Sequence, residues 1–289
     1  MKMWVARHEW PSGCRMLLNF YRHQSSLVIR GEDPSMSESI QSMEGVTQGC
    51  PFAMVGYGLL VLPLIRQLQR EFPNVASPWY ADDAMAAGAL ADVMAYFHRL
   101  CELGPSYGYF PEESKSILVV KARDTAAAEE FKAETKAKVK VTNGHRYLGG
   151  FVGDRDMEEA WIREQVAAWG LAVKAVGEAG KYFPQSAYAG MQRSLQQEWT
   201  FVQRVVPDIG ALFDSLEDSV HGGFFSPLLG SAISKDLRDL TTTTIKLGRF
   251  SLPNPTLTSE TNFTASQCET AHLINTLRDL CIFSHVKHK

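Results

Sequence analysis

Several features that mark a secreted or membrane-spanning chain are scarce or missing. Five cysteines, Cys14, Cys50, Cys101, Cys268 and Cys281, are scattered without a C-x-x-C pair and without a histidine at ligand spacing. That excludes a disulfide framework and a structural zinc site as the organising principle. No apolar run is long: the longest, residues 54–65, is too short to cross a bilayer and contains Pro63, while Arg7, His8 and Glu9 interrupt any signal-peptide core. The expectation is a soluble intracellular protein of nucleus or cytoplasm. Neither charge dominates, with 29 Lys and Arg against 32 Asp and Glu, a net charge of −3 and a pI near 6.3. Such a balance argues against binding nucleic acid by bulk electrostatics alone. No internal repeat or low-complexity tract occurs beyond Thr241 to Thr244. What is there, 45% hydrophobic and 21% charged over 289 residues, is ordinary globular composition with length for one large domain or two small ones.

Charge is nonetheless uneven. The first thirty residues hold Lys2, Arg7, Arg15, Arg22 and Arg30 against the single acid Glu9, either a phosphate-facing edge or a solvated helix face. Periodicity predicts an interrupted helix over 3–24, a strand at Leu27-Val28-Ile29, and a Gly-punctuated loop leading through Pro51 into an apolar helix that runs to about Arg70. Next come two short strands joined at Asp82-Asp83, a helix over 90–103 stopped by Gly104-Pro105, a strand over 117–120 and an Ala-rich helix over 124–136. Asn143-Gly144 predicts a hairpin turn between strands 139–142 and 147–152. From Met157 the pattern is helical: 158–176, then 183–206 with an apolar stripe of Phe183, Ala187, Met191, Leu195, Val202 and Val206, then 211–220. Gly222-Gly223 is expected to open a looser C-terminal part.

Tyr80-Ala81-Asp82-Asp83 carries the clearest chemistry. Adjacent carboxylates at a hairpin tip repel unless a cation compensates them. Mg²⁺ accepts one or two carboxylates and leaves positions for water and substrate phosphates, which suits phosphoryl transfer to a nucleotide. An Asp-Asp turn also occurs for purely conformational reasons.

Order adds weight. Gly45-Val46-Thr47-Gln48-Gly49-Cys50-Pro51, Tyr80-Ala81-Asp82-Asp83, Gly108-Tyr109-Phe110-Pro111-Glu112-Glu113-Ser114-Lys115-Ser116 and Arg146-Tyr147-Leu148-Gly149-Gly150 follow one another along the chain. In that order they resemble the blocks of reverse transcriptases, RNA-directed DNA polymerases, most closely the cellular and retrotransposon-borne enzymes of the non-LTR or tyrosine-recombinase kinds. The resemblance implies an α+β fold, a right-hand polymerase palm in which an antiparallel sheet packs with helices. A helical thumb would follow, with fingers and first palm strand missing. It divides the chain into a partial palm at 1–155, a thumb at 156–225 and a C-terminal extension at 226–289.

The same resemblance assigns roles. Asp82 and Asp83 would be catalytic and hold two Mg²⁺ ions, or Mn²⁺ in their place, and Lys115 would neutralise or protonate pyrophosphate. Gln48, Gly49 and Tyr80 would meet the nucleotide and template, and Tyr147, Leu148, Gly149 and Gly150 the primer terminus. Gln192, Arg193 and Gln196, with Gln203 and Arg204, would track the duplex along the thumb. The partners implied are an RNA or DNA template-primer duplex and dNTP. Two departures stand out. Cys50-Pro51-Phe52 follows the Gln-Gly pair in place of the usual residues, and no upstream strand carries the third metal-bridging aspartate, since Asp33 lies in a turn and Glu9 in a helix. A truncated, inactive polymerase piece is therefore expected, with a catalytically silent nucleic-acid-binding remnant as the alternative.

Overall fold

The computed structural model describes residues 7–32, 37–42, 50–279, 284 and 286. The chain is mixed α+β, mostly helical, and divides into two compact units, Met1–Ser116 and Ile117–Lys289. The division falls inside the region 1–155, and residues 226–289 belong with the second unit.

In the first unit, α1 (Pro11–Tyr21) begins with Pro11 in its first turn, where the missing N–H costs nothing. An antiparallel ribbon follows, β1 (Ser25–Ile29) with β2 (Glu38–Ser42), in register Leu27↔Ile40. The Ser-rich β2 has no strong strand signal and was not expected. Helix α2 (Ala53–Glu71) keeps Pro63 inside it and buries Val61, Leu64 and Leu68. Then come β3 (Trp79–Tyr80), β4 (Asp83–Ala84) and α3 (Leu90–Tyr107). Leu64, Leu68, Val75, Tyr96 and Leu100 form the core, each large apolar side chain contributing about 1.5–3 kcal/mol. Gly104-Pro105 does not stop α3. The helix ends at Gly108, which takes φ 79° while Tyr109 N–H donates to Gly104 O and Gly108 N–H to Pro105 O. These two bonds satisfy the last carbonyls and need a left-handed residue that glycine supplies without strain.

In the second unit, β5 (Ile117–Val119) and β6 (Lys140–Thr142) run parallel, which requires a crossover, here supplied by α4 (Thr125–Thr135). The expected Asn143-Gly144 hairpin is therefore absent. The hairpin instead joins β7 (Gly144–Tyr147) to β8 (Gly150–Gly153) through Leu148-Gly149, with φ 47° and 81° at these two residues and Tyr147 opposite Gly150. Positive φ at both central positions is the twist a two-residue hairpin wants. Asn143 spends its side-chain amide on Val120 O and Thr125 Oγ1, and a Cβ on Gly144 would stand 2.7 Å from the Phe151 ring. Both residues are thus held by tertiary contacts that a local turn signal does not encode.

Helices make up the rest. Asp154 caps α5 (Arg155–Gly180) by accepting the Asp156 N–H. Helix α6 (Pro184–Gly190) passes through a π-helical turn at Met191–Leu195 into α7 (Gln196–Val205). A 3-10 turn at Gly210–Phe213, α8 (Asp214–Asp218), a π-helical segment at Ser219–Phe225 and α9 (Ser226–Leu229) follow. Helices α10 (Lys235–Thr242) and α11 (Pro255–Asp279) complete the unit. The expected stripe is buried at Ala187, Met191, Leu195, Val202 and Val206, but Phe183 is exposed. Gly222-Gly223 opens no loose tail: both lie inside the π-helical segment, which packs on α5. Strands among the described residues form four separate two-stranded ribbons, three antiparallel and one parallel, and no single antiparallel sheet.

The C-terminal region is fastened by Arg238, which is 3% exposed. Its guanidinium donates to both carboxylate oxygens of Glu217 at 2.8 Å, to Thr241 Oγ1 and to Leu252 O, and lies 5.4 Å from the Phe225 ring centre. Removing one member of such a buried pair leaves an uncompensated charge and costs about 3–5 kcal/mol.

Two glycines in the helices predict opposite outcomes. A Cβ on Gly177 would meet Gly223 O at 2.0 Å, a backbone atom that cannot swing away, whereas Gly190 has nothing within 4 Å. Gly177→Ala should lose roughly 2–3 kcal/mol in urea unfolding, and Gly190→Ala should gain about 0.5–1 kcal/mol from helix propensity. Equal effects at the two sites would contradict the close α5 crossing.

Candidate functional site

The acid pair does lie on an antiparallel hairpin. Trp79 pairs with Ala84 and Tyr80 with Asp83, so the loop is Ala81-Asp82. Asp82 occupies the turn and Asp83 opens β4, a correction to the picture of both acids at the tip. Both carboxylates and Tyr80 are exposed. Ala81 sits at φ 54°, a left-handed conformation that costs a residue with a Cβ about 1–2 kcal/mol. The hairpin is continued by a bridge between Ala76 and Ala87, whose N–H groups donate to each other's carbonyls at 2.8 Å.

Aromatic residues support this strained turn from below. Tyr109, just past the end of α3, donates from Oη to the Asp82 carbonyl at 3.3 Å and packs its ring 5.0 Å from that of Trp79. Trp79 Nε1 donates to Ser77 Oγ, which shares a further hydrogen bond with Tyr96 Oη. The block Gly108-Tyr109-Phe110 is thereby brought against Tyr80-Ala81-Asp82-Asp83. Burial first, then the charge of Asp82, raises the Tyr57 phenol above its usual range. Tyr109 is raised further, chiefly by burial and then by Tyr57, Tyr96 and the two aspartates. Tyr57 and the supporting role of Tyr109 were missed in the sequence. The one available signal was an aromatic next to the helix-ending Gly108, which says nothing about its partner.

The other expected residues fall as follows. Gln48 and Gly49 lie outside the described residues. Lys115 is exposed at the end of a 3-10 turn, Glu113–Lys115, capped by the Glu112 side chain. Tyr147, Leu148, Gly149 and Gly150 form the β7–β8 turn, where a Cβ on Gly149 would stand 2.7 Å from Phe201 of α7 and one on Gly150 3.5 Å from Val205. The expected primer-facing turn and thumb helix α7 are thus in direct contact. Gln192 and Gln196 are half-buried and Arg193 is exposed, on the π-helical turn and the start of α7. Gln203 and Arg204 do not face solvent for a duplex. Gln203 is fully buried, donates to Pro255 O at 2.7 Å and accepts from Asn262 Nδ2 at 2.8 Å, while Arg204 pairs with Glu269. Both serve to dock α11.

Among the described residues no group of three or more His, Cys, Asp or Glu is arranged to hold a metal ion. Asp82 and Asp83 alone do not meet the near-octahedral demand of two Mg²⁺ ions, so the residues present do not fit the implied metal pair. Likewise among the described residues, no helix is long and apolar enough to cross a membrane. No protein-family model, curated protein or solved structure matches the chain.

The environment of the hairpin sets a pH response. The raised phenols of Tyr57 and Tyr109 stay protonated in the fold where the unfolded chain ionises, so the unfolded state holds fewer protons and stability falls as pH rises above about 10. Absorbance titration near 295 nm should show tyrosines that ionise late, one fewer in Tyr109→Phe; uniform titration near the ordinary value would contradict the buried support. In a separate measurement, Ala81→Gly should raise stability by roughly 0.5–1 kcal/mol, net of the freedom glycine gives the unfolded chain.

Proposed function

We propose that the chain is a palm-and-thumb piece of a reverse transcriptase that binds a primed template duplex and carries its polymerase acids at Asp82 and Asp83. The observation behind this reading is the hairpin: two adjacent exposed carboxylates on a two-residue turn, with Tyr80 beside them and Tyr109 beneath. The contact between the Leu148-Gly149 turn and α7 supports it, since a primer held at that turn would lie beside the thumb helix.

Mg²⁺, when held in a complete polymerase site, supplies polarisation of the primer hydroxyl and of the leaving phosphates. The donor set among the described residues falls short of that, so no nucleotidyl transfer is derived for this chain. What its own residues contribute is binding. Arg193 offers a charge to duplex phosphates, Gln192 and Gln196 offer amides, and Gly149 and Gly150 allow close approach of a sugar-phosphate backbone. The same shortfall favours the second reading, a binding remnant without catalysis.

Anisotropy with a primed RNA–DNA duplex tests the proposal. Binding should weaken with salt, and Arg193→Ala should lower the slope of log K against log salt by about one. Primer extension with Mg²⁺ or Mn²⁺ should remain near background, and any incorporation should vanish in Asp82→Ala. Incorporation that survives Asp82→Ala, or a chain that neither binds nor extends the duplex, would overturn the polymerase reading.

A further inference from the structure

We infer that Lys136, Lys138 and Lys140 form a linear binding track for the phosphate backbone of a single-stranded nucleic acid. Helix α4 ends at Lys136, which takes φ 55° and turns the chain from helix into extended backbone. From there burial alternates strictly. Ala137 and Val139 are buried at 6% and 5%, while Lys136, Lys138 and Lys140 are exposed. Alternation is the two-residue period of an extended chain, so the lysines share one face and succeed one another at about 6.4–6.8 Å. That repeat is close to the phosphate step of an extended nucleic-acid strand.

The setting sharpens the charge. Between Lys136 and Gly153 the sequence contains Lys136, Lys138, Lys140 and Arg146 and no Asp or Glu, although the whole chain carries −3. Arg146 is also exposed, on β7. The track therefore stands clear of acids along its own chain, and an anion meets a local field opposite in sign to the average.

A membrane surface would need apolar side chains on the same face to insert beside the charges. Here the apolar neighbours Ala137 and Val139 point the other way and are buried, so the face offers charge in a line without an anchor. A single polyanionic strand matches that geometry. With no base-reading residue in the track, binding should be independent of sequence and strongly salt-dependent.

The track is separate from Arg193 and from the carboxylate hairpin, so it does not rest on the polymerase reading. The test is anisotropy of a labelled twenty-nucleotide oligo-dT strand against the whole chain over a salt series. The triple variant Lys136→Ala/Lys138→Ala/Lys140→Ala should lower the slope of log K against log salt by about two, at roughly 0.7 per phosphate contact on a single strand. Near 0.1 M salt that corresponds to roughly 30- to 100-fold weaker binding. The Lys→Arg triple should bind like the parent, and the unfolding midpoint should be unchanged in both. An unchanged slope in the alanine triple overturns the inference, as does a loss confined to phosphatidylserine vesicles. Primed-duplex binding that still depends on Arg193 while oligo-dT binding ignores the lysines would sink the track and leave the polymerase reading standing.

Discussion

One buried cation organises the C-terminal half of the helical unit. Arg238 joins Glu217 at the end of α8, Thr241 in its own helix, the carbonyl of Leu252 and the ring of Phe225, four places separated along the chain. Every donor it turns inward has an acceptor, which is the condition under which a buried charge is tolerated. With the Leu252 segment fixed, α11 begins at Pro255 in a position where Gln203 can bond the Pro255 carbonyl and Asn262. The polar side chains of α7 that point this way are thus committed to the fold, and the surface left for a ligand is the one bearing Gln192, Arg193 and Gln196.

A different balance governs the carboxylate hairpin. Its strands are two residues each and its turn carries a left-handed alanine, so backbone pairing alone gives it little stability. Its hold comes from the Trp79–Tyr109 contact, the bond from Tyr109 to the Asp82 carbonyl and the Ser77–Tyr96 link. Support through the backbone carbonyl leaves both Asp side chains facing solvent. That arrangement suits a site whose ligand arrives from outside, and it explains why the aromatic partners rather than the acids bear the altered ionisation.

The sequence made the long-period features legible. Repeats near four apolar residues placed α2, α3, α5 and the α6–α7 stretch, and Pro78 and Gly88 bracketed the hairpin at Asp82. Short signals failed where tertiary contacts overruled them. Asn143-Gly144 is a strong local turn cue, yet its amide is taken by Val120 and Thr125 and its glycine makes room for Phe151. Gly104-Pro105 reads as a stop, but Gly108 closes α3 a turn later. Gln203 reads as a surface amide because burial depends on α11, more than fifty residues away. Of the candidate site, the acids were visible in the sequence, whereas Tyr57 and the bond made by Tyr109 depend on helices meeting in space.

The π-helical turn at Met191–Leu195 has a consequence for how the second unit tolerates change. Ala187, Met191, Leu195 and Trp199 recur every fourth residue and all are buried. On a pure α-helix, four residues advance 400°, so such a row would creep about 40° round the axis at each step and soon leave the interior. The wider turn absorbs the creep and keeps Trp199 and Val202 directed inward. Excising a single residue from that turn would restore ordinary helix and swing everything downstream by about 100°. Length there is a conserved quantity of the architecture in the mechanical sense: side chains can be exchanged one for another, but the number of them cannot.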